Sequence, residues 1–452
     1  MDVTVKRREE NGNQCLLSAD LFEALELVEN KKYTLHVGHS NATVTFKKRQ
    51  GKISRLSLPH TIFEQLHLLH GMKLNIWKAG DAIYLGPVVG IFVNPTYITN
   101  LSKGNIPLTA KKDIQANAVA KCLIYFFSTD HIDWKAKTIQ GYTVAPQSNQ
   151  WTSQTCPFPN VIYDCGVHFP TDQKGKVKRI RQRFREDPGI QFINNSDYLG
   201  KWALYTKLSK YKEMRPYLPE TIRYQSVEDL HTMLAKHPLV YVKSFYGSRG
   251  REVMTVRKTE NGYVIKFYHG VLKSTFVKRF DQIVHLINRF FGDKPLILQE
   301  GINVLTYKGR RLDFRLLICK NGSGQWQVIY NQANVAKPGA TITTIGKNYK
   351  NYDQVYRYFQ KTGQCNSMPT DKKLRKETIK IAQYIEKEFG PHGEIGMDMA
   401  VDRNGKIWFI EANAKPEKLP IPGLEDTKGV SPQFLSTFQY ATFLTKKACG
   451  AL

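Results

Sequence analysis

The stretch GMDMAVDRNGKIWFIEANAKP, residues 396–416, has the pattern of a β-hairpin that carries two acidic side chains. Asn404-Gly405 is the dipeptide preferred at the centre of a two-residue type I′ turn, and it lies between two apolar, β-prone runs. This turn predicts the pairs Val401 with Trp408, Ala400 with Phe409, Met399 with Ile410 and Asp398 with Glu411. The same alternation predicts one apolar face made of Met399, Val401, Trp408 and Ile410, with both acids on the other face.

The predicted pairing of Asp398 with Glu411 needs an explanation. Carboxylates directly opposite in a sheet lie about 5 Å apart at Cβ and repel each other. A divalent cation between them would remove the repulsion, and Asn413 on the same strand face would complete an all-oxygen ligand set that suits Mg²⁺. The alternatives are a solvated pair at a sheet edge or one carboxyl that is held protonated.

Length and composition describe a folded, strongly basic protein. The 452 residues exceed one ordinary core and predict roughly two to four domains. A 41% hydrophobic and 12% aromatic content excludes general disorder. Sixty-six Lys and Arg against 39 Asp and Glu give a net charge of +27. This excess favours a polyanionic partner, such as nucleic acid, an acidic peptide, a teichoic-type polymer or a phosphate-rich ligand, without choosing among them.

The chain shows no membrane or export signal. Its longest apolar runs, such as CLIYFF at 122–127, fall far short of the roughly 20 residues of a membrane span. The N-terminus carries charges where a signal peptide needs apolar residues, so we expect synthesis in the cytoplasm. Seven scattered cysteines without CxxC spacing predict reduced thiols and no zinc site.

Residues 1–86 contain an internal repeat. Two segments related by a shift of 41 positions each predict a short amphipathic helix, a turn and a strand. The matching apolar residues are Phe22 and Phe63, Leu25 and Leu66, Leu27 and Leu68, and Leu35 and Ile76. The pattern favours a small β-rich module of double-psi or swapped-barrel type, and coincidence between two short units is the alternative.

Residues 87–197 alternate between strands and helices, which predicts an α/β layer. The strands are VVGIFV, CLIYFF, NVIYDCG and IQFINN, and helices are predicted near 110–121 and 174–186. The second helix, KGKVKRIRQRFRE, has an apolar stripe of Val177, Ile180 and Phe184. It is either a docked helix with a solvated basic face or part of an anion-binding patch.

From about residue 198 the pattern changes to two α+β units. The first contains the strands LVYVKSF, EVMTVRK and YVIKFYH, a helix ending at RFFG, and the strand LILQEG. The second contains a hairpin over 301–320 that turns at Lys308-Gly309, the strand WQVIYNQANV, a helix near 371–389 and the hairpin 396–416.

Two patterns in these units suggest nucleotide chemistry. Lys243 ends a strand directly before a loop with Gly247 and Gly250, and such loops let backbone N–H groups approach phosphates. The loop is not a Walker A motif, and a flexible turn would have the same sequence. Asp313 and Arg315 share one strand face, so Arg315 could stabilise a transferred phosphoryl group. A surface ion pair is the alternative.

The order of these parts resembles that of the ATP-grasp superfamily. A lysine with a glycine-rich loop, a strand-end hinge, DxR on a hairpin and then D…ExN follow one another between residues 197 and 445. The segment SDYLGKWALYTKL…LPET resembles the entry helix of RimK-like members, and the whole chain is similar to the YheC/YheD family of endospore coat-associated proteins.

The resemblance implies a multidomain protein of the α/β and α+β classes. A Rossmann-like pre-ATP-grasp domain over 87–197 would follow the module 1–86 and precede an ATP-grasp domain over 198–452. Within that domain, residues 198–300 would cover the nucleotide and residues 301–445 would hold Mg²⁺.

The resemblance also implies roles for single residues. Lys201 and Lys243 would bind the ATP phosphates, and Arg315 would act with Lys243 in catalysis on the phosphate or acceptor side. The remaining assignments are Gly247, Ser248 and Gly250 in a flap over the phosphates, Gln299, Glu300, Gly301 and Ile302 at adenine and ribose, Asn334 at the nucleotide, and Asp398, Glu411 and Asn413 at Mg²⁺.

One segment departs from the family pattern. Where many relatives have N-L-H-x-G-G, this chain has NVAKPGA, with Asn334 and Gly339 retained, Ala336 at the histidine and Pro338 at a glycine. Because that segment would lie near the γ-phosphate or the acceptor, catalysis and acceptor choice are less well supported than ATP binding.

The predicted function is an ATP- and Mg²⁺-dependent ligase that joins a carboxylate to an amine through an acylphosphate. Its acceptor could be an acidic peptide or another polyanion, and spore coat proteins are candidate partners if the protein is deposited in the endospore coat. The main alternative is a non-catalytic nucleotide-binding structural or interaction protein of the coat. Nucleic-acid binding has charge in its favour but no recognisable reading element.

Overall fold

The computed structural model describes residues 1–51, 53–246, 252–269, 271–340, 343, 349–365, 367–418, 421, 423–425 and 429–452. Its strands form a closed barrel and three open sheets, in chain order. Within the described residues, no helix has both the length and the apolar composition of a membrane span.

The N-terminal segment forms a seven-stranded closed barrel in the order β1-β5-β2-β4-β3-β7-β6. The elements are β1 Asp2–Arg8, β2 Gln14–Ser18, α1 Ala19–Ala24, β3 Lys32–Val37, β4 Ser40–Arg49, β5 Arg55–Pro59, α2 His60–Gln65, β6 Lys73–Ala79 and β7 Ala82–Gly86. The two predicted repeat units adopt the same conformation, β2-α1-β3 and β5-α2-β6. The residues with positive φ in their turns also match. Glu26 corresponds to His67 and Asn30 to Gly71, each 41 positions later.

The second sheet is doubly wound around parallel strands. The elements are β8 Val88–Phe92, α3 Pro95–Ser102, α4 Leu108–Ala120, β9 Leu123–Phe127, β10 Ile132–Asp133, β11 Thr138–Val144, β12 Trp151–Pro157, β13 Val161–Asp164, α5 Lys174–Glu186 and β14 Gln191–Phe192. The order is β10-β11-β9-β8-β13-β14, with β12 on β11. One face packs against α5 and the barrel and the other against α3 and α4. Strand order therefore reverses between β8 and β13, where α/β proteins commonly bind ligands.

The third sheet is antiparallel and has the order β15-β20-β16-β17-β18-β19. The elements are α6 Lys201–Leu208, β15 Thr221–Tyr224, α7 Val227–Lys236, β16 Leu239–Ser244, β17 Val253–Thr259, β18 Gly262–His269, β19 Val271–Val277, α8 Phe280–Phe291 and β20 Leu296–Glu300. Helices α7 and α8 share one core with its strands. The opposite face is therefore left for contact with the fourth sheet.

The fourth sheet has the order β24-β23-β22-β25-β26, with β21 on β22. The elements are β21 Thr306–Tyr307, β22 Arg310–Lys320, β23 Trp326–Val335, β24 Tyr349–Asn351, α9 Tyr352–Thr362, α10 Asp371–Phe389, β25 Glu394–Val401, β26 Ile407–Asn413 and α11 Pro432–Ala448. The predicted turn at Lys308-Gly309 is present, with φ of +50° and +75°. Positive φ at both central positions is what a type I′ turn requires.

The C-terminal helix α11 connects three parts of the molecule. Phe434 and Phe438 complete the core between the second sheet and α4. Thr437 donates a 3.2 Å hydrogen bond to Glu394 on β25. The indole N–H of Trp77, on the barrel, lies 3.3 Å from the Cys449 sulfur. The last helix in the sequence thus contacts the barrel, the second sheet and the fourth sheet.

A buried charge pair lies beside this helix. Lys418 forms an ion pair with Glu394, and both side chains are less than 5% exposed. Tyr163 donates a further 2.9 Å hydrogen bond to Glu394. Because a buried charge is stable only when it is paired, removing either partner would leave an uncompensated charge.

Candidate active site

Three charged side chains lie side by side on three neighbouring strands of the fourth sheet, β22, β25 and the edge strand β26. Arg315 on β22 is opposite Asp398 on β25, and Asp398 is opposite Glu411 on β26. Arg315 Nη2 donates a 3.0 Å hydrogen bond to Asp398 Oδ2, and Lys201 Nζ lies 3.7 Å from Glu411 Oε2. The acidic pair predicted from the hairpin is therefore present and is flanked by cations.

The rest of the predicted hairpin register is wrong by one residue. The observed pairs are Val401 with Ile407, Ala400 with Trp408 and Met399 with Phe409. The predicted two-residue turn does not form because the Asp402 carboxylate accepts hydrogen bonds from the backbone of Asn404 and Lys406 and holds a wider loop. Asn404 accordingly lacks the positive φ of a type I′ turn, which only Gly405 has.

A β-bulge at Ile410 restores the acidic pair. The register shifts between Asp398 and Met399, so that Asp398 pairs with Glu411 and Ile410 is the extra residue. Bulges re-aim side chains near functional sites, and here Ile410 and Glu411 both line one cleft. Trp408 and Ile410 consequently pack with Ala400, away from Met399, which corrects the predicted apolar face.

Gly396 leaves room for the arginine. A Cβ at this position would lie 3.3 Å from Arg315 Nη1 and 2.9 Å from Pro416. Only a hydrogen in place of the side chain lets the guanidinium lie across β25 to reach Asp398 without a shift of its neighbours.

The surroundings of Asp398 and Glu411 shift the pKa values of the two carboxyl groups in opposite directions. Burial raises the pKa of Asp398 well above its ordinary value, and the adjacent Glu411 adds to this effect while Arg315 opposes it. The pKa of Glu411 is lowered because Lys201, Arg315 and Lys243 together outweigh its burial. Of the two carboxyl groups, Asp398 is therefore the one that binds a proton more readily.

Lys243 is buried on β16 with its ammonium group facing the same cleft. Burial, followed by the nearby charge of Lys201, lowers its pKa from 10.5 to about 8. Its Nζ donates to the side-chain oxygen of Gln299 and lies 5.1 Å from the ring centroid of Tyr241. Burial of the charged Lys243 side chain is unfavourable on its own, so its position suits a site that binds a negatively charged ligand.

The end of β20 forms the connection between the two sheets. Gln299 is buried and donates a 2.9 Å hydrogen bond to Thr221. Glu300 directs its carboxylate toward His237, 3.5 Å away. Gly301 donates its N–H to the Leu239 carbonyl at 2.7 Å, and Ile302 packs with Val304 in the cleft wall.

Gln299, Glu300 and Ile302 line one cleft between the third and fourth sheets, with a volume of about 900 Å³ that includes the part open to solvent. Among the described residues, three polar oxygens in its walls are buried without a hydrogen-bond partner: Asp313 Oδ1, Asn334 Oδ1 and Asp398 Oδ1. Arg315 Nε is 2.5 Å from Asp398 Oδ1, but its N–H is not aligned for a hydrogen bond. Buried polar atoms normally have partners, so this surface is shaped for a polar ligand.

The structure brings together most of the residues singled out from the sequence. Those that line the cleft are Lys201, Lys243, Gln299, Glu300, Ile302, Asp313, Arg315, Asn334, Asp398 and Glu411. Asn413 lies opposite Gly396, two positions beyond Glu411. Ala336 is fully buried and offers no functional group. Gly247, Ser248 and Gly250 lie outside the described residues.

The cleft residues that sequence reasoning missed include Tyr241 and Arg311. The guanidinium of Arg311 lies 5.7 Å from the Tyr241 ring centroid. Both could have been found by strand alternation, since Tyr241 is two positions before Lys243, and Arg311 and Asp313 precede Arg315 at steps of two.

A comparison with family models matches residues 189–444 to the model described as YheC/D like ATP-grasp. The chain belongs to this YheC/D-like ATP-grasp family. The match spans the third and fourth sheets, which therefore make up the ATP-grasp fold predicted from the sequence.

Two curated relatives extend the family assignment toward the N-terminus. Endospore coat-associated protein YheD of Bacillus subtilis (strain 168) is 24% identical over 400 residues, covering 86% of each chain. Endospore coat-associated protein YheC of the same strain is 23% identical over 280 residues, covering 61% of this chain and 75% of the relative. Among solved structures, D-alanyl-alanine synthetase A from Vibrio cholerae O1 biovar eltor str. N16961 is 12% identical with a TM-score of 0.41, covering 81% of this chain and 98% of that chain.

Proposed function

We propose that this YheC/D-like protein is an ATP- and Mg²⁺-dependent ligase that joins a carboxylate to an amine. The observation that carries the proposal is the convergence of Lys201, Lys243 and Arg315 on the buried pair of Asp398 and Glu411. Three cations around two carboxylates in one cleft match the needs of phosphoryl transfer, in which positioning and charge stabilisation supply most of the catalysis.

The nucleotide would lie along the cleft between the two sheets. Its adenine would meet the backbone at Gln299–Ile302, with Ile410 as an apolar wall. Its phosphates would extend toward Lys201 and Lys243, and Gly247, Ser248 and Gly250 belong to this proposal as the covering flap. Asn334, whose side-chain oxygen is buried without a partner in the described structure, would serve as a polar contact.

The acidic pair fits magnesium. Asp398, Glu411 and Asn413 supply only oxygen ligands, and hard cations such as Mg²⁺ prefer oxygen. A cation between the two carboxylates would remove the repulsion by which Glu411 raises the pKa of Asp398. Bound there with ATP, Mg²⁺ would neutralise charge on the phosphate oxygens.

The proposed reaction has two steps. A substrate carboxylate oxygen attacks the γ-phosphorus, and the bond from that phosphorus to the bridging oxygen breaks, giving an acylphosphate and ADP. An amine then attacks the acyl carbon, phosphate leaves with the bonding electron pair, and the amine proton passes to solvent. Arg315 would orient the transferring group and stabilise its charge. The protein would serve the endospore coat, as the names of its relatives suggest.

A second candidate is a coat protein that binds nucleotide without turning it over. The observation in its favour is Ala336, which stands where many relatives have a histidine and is buried without a functional group.

The test is phosphate release from Mg-ATP by the full chain in the presence of spore or cytosol extract. We expect release that depends on the extract and falls at least about tenfold in Asp398→Asn and Glu411→Gln, because even indirect metal contacts are worth that much. Glu260→Gln, in an exposed turn, is the matched control and should behave as the wild type. Tight ATP binding with no release under any condition would favour the second candidate.

A further inference from the structure

A wide groove lies along helix α5, outside the cleft described above. It has a volume of about 1590 Å³, including the part open to solvent. One wall is the face of α5 that carries Lys174, Lys178, Arg181 and Arg185, and the other is the loop that follows β13. The groove therefore opens at the carboxyl ends of β8 and β13, where the strand order of the second sheet reverses.

Two short segments connect this groove to the carboxylate pair. The chain runs from Lys201, beside Glu411, back to Asp197 in the groove wall. It also runs from Glu411 to Lys415, which donates to the Asp164 carboxylate at 2.8 Å and to the Gly166 carbonyl at 3.0 Å. Each segment spans four residues, or at most about 14 Å of backbone, and the lysine side chain completes the connection.

The cations of the groove differ in their partners. Arg181 is held by Asp164 and Asp197, at 2.7 and 3.0 Å, and has a structural role. Lys174 and Lys178 are exposed at the rim, and neither forms an ion pair with a carboxylate in the part of the chain that the structure describes. They are the cations available to an incoming anion.

The spacing of these cations fits an extended peptide. Positions 174 and 178 lie about 6 Å apart along the helix axis, and alternate side chains of an extended chain repeat at about 6.7 Å. Nucleic acid fits less well because single-stranded bases need a free aromatic face. Phe169, in the groove wall, already stacks against Phe92 at 5.5 Å and has the Arg181 guanidinium 5.7 Å from its ring centroid.

We propose that this groove binds an extended acidic peptide that is the carboxylate substrate of the ligase. Lys174 and Lys178 hold its side-chain carboxylates, and a carboxylate further along the peptide, past Asp197, reaches the phosphate end of the nucleotide cleft. The inference rests on the proposed function for the identity of the reaction, whereas the binding site rests on the groove alone.

The experiment measures binding of a fluorescein-labelled hexaglutamate peptide to the full chain by anisotropy, without nucleotide and at low salt. The double variant Lys174→Glu/Lys178→Glu should weaken binding at least about tenfold, because it replaces attraction by repulsion at the contact. The control Lys103→Glu/Lys111→Glu makes the same change in net charge on exposed lysines at α3 and α4, across the second sheet, and should stay within about twofold.

Equal loss in both double variants would overturn the proposal, since it would show a response to net charge alone. Absence of hexaglutamate binding by the wild type, or equal binding of labelled hexaglutamine, would also overturn it. A labelled oligothymidylate that binds more tightly and responds to the groove variant would assign the groove to nucleic acid instead. ATP binding is measured on the same samples. Peptide binding as expected without ATP binding would refute the proposed function and leave the groove assignment standing.

Discussion

Replacing the buried Lys243 should stabilise the ligand-free protein and weaken the ATP binding proposed above. Its pKa falls from 10.5 to about 8 on folding. This fall corresponds to about 3 kcal/mol against the charged form, since each pKa unit is worth about 1.4 kcal/mol. Lys243→Met removes that cost and loses the hydrogen bond to Gln299, worth about 1 kcal/mol. The net gain is about 2 kcal/mol at pH 7, or about 4–8 °C in Tm.

The gain has a defined pH dependence. Because the pKa of Lys243 is lowered by folding, its cost is complete below pH 8 and disappears between pH 8 and 10.5, where the folded and then the unfolded side chain lose the proton. The difference in Tm between Lys243→Met and the wild type should therefore shrink as the pH rises from 8. ATP affinity of the wild type should fall above pH 8 by up to about tenfold per pH unit, since only the charged lysine attracts phosphate.

The assay is thermal unfolding with and without Mg-ATP. Lys243→Met should melt at a higher temperature than the wild type when no ligand is present and should lose most of the increase that Mg-ATP produces. Lys258→Met, on an exposed position of β17, is the matched control and should change neither quantity. A ligand-free Lys243→Met that melts below the wild type, or one that keeps its full response to Mg-ATP, would refute the reasoning.

Two further substitutions test the scaffold. Gly405→Ala should lower Tm more than Gly423→Ala. The φ angle is near +80° at both positions, but of the two only Gly405 has a backbone oxygen, that of Ser367, in the space that a Cβ would occupy. Equal decreases in Tm would contradict this prediction. Lys418→Met should cost about 3–5 kcal/mol by leaving Glu394 buried without its cation, and adding Glu394→Gln should restore part of the lost Tm.

The sequence predicted the site better than it predicted the strands that build it. Asp398, Glu411 and Arg315 were placed together because strand alternation and the family pattern each link these residue types to neighbouring strands. The helix over 174–186 and the turn at Lys308-Gly309 followed from local periodicity and turn chemistry, which need no tertiary information.

What the sequence could not predict depends on contacts between distant residues. The bulge at Ile410 and the wide loop held by Asp402 together keep Asp398 opposite Glu411, and either change alone would have moved the acids out of register. The pKa of Lys243 depends on burial between two sheets. The antiparallel strands β10–β12 and the helix α11 were not predicted. The buried side of α11 depends on the segments that it packs against, which the sequence alone does not reveal.

The position of α11 has a consequence for synthesis of the protein. Phe434 and Phe438 are translated long after the second sheet and α4, yet they belong to the same hydrophobic core as those earlier segments. While the intervening residues, about 300, are translated, that apolar surface is exposed to water. Exposed apolar surface makes a nascent chain prone to aggregation and is bound by chaperones. This core therefore cannot be completed until α11 has left the exit tunnel, and a chain truncated before Phe434 would leave the core open.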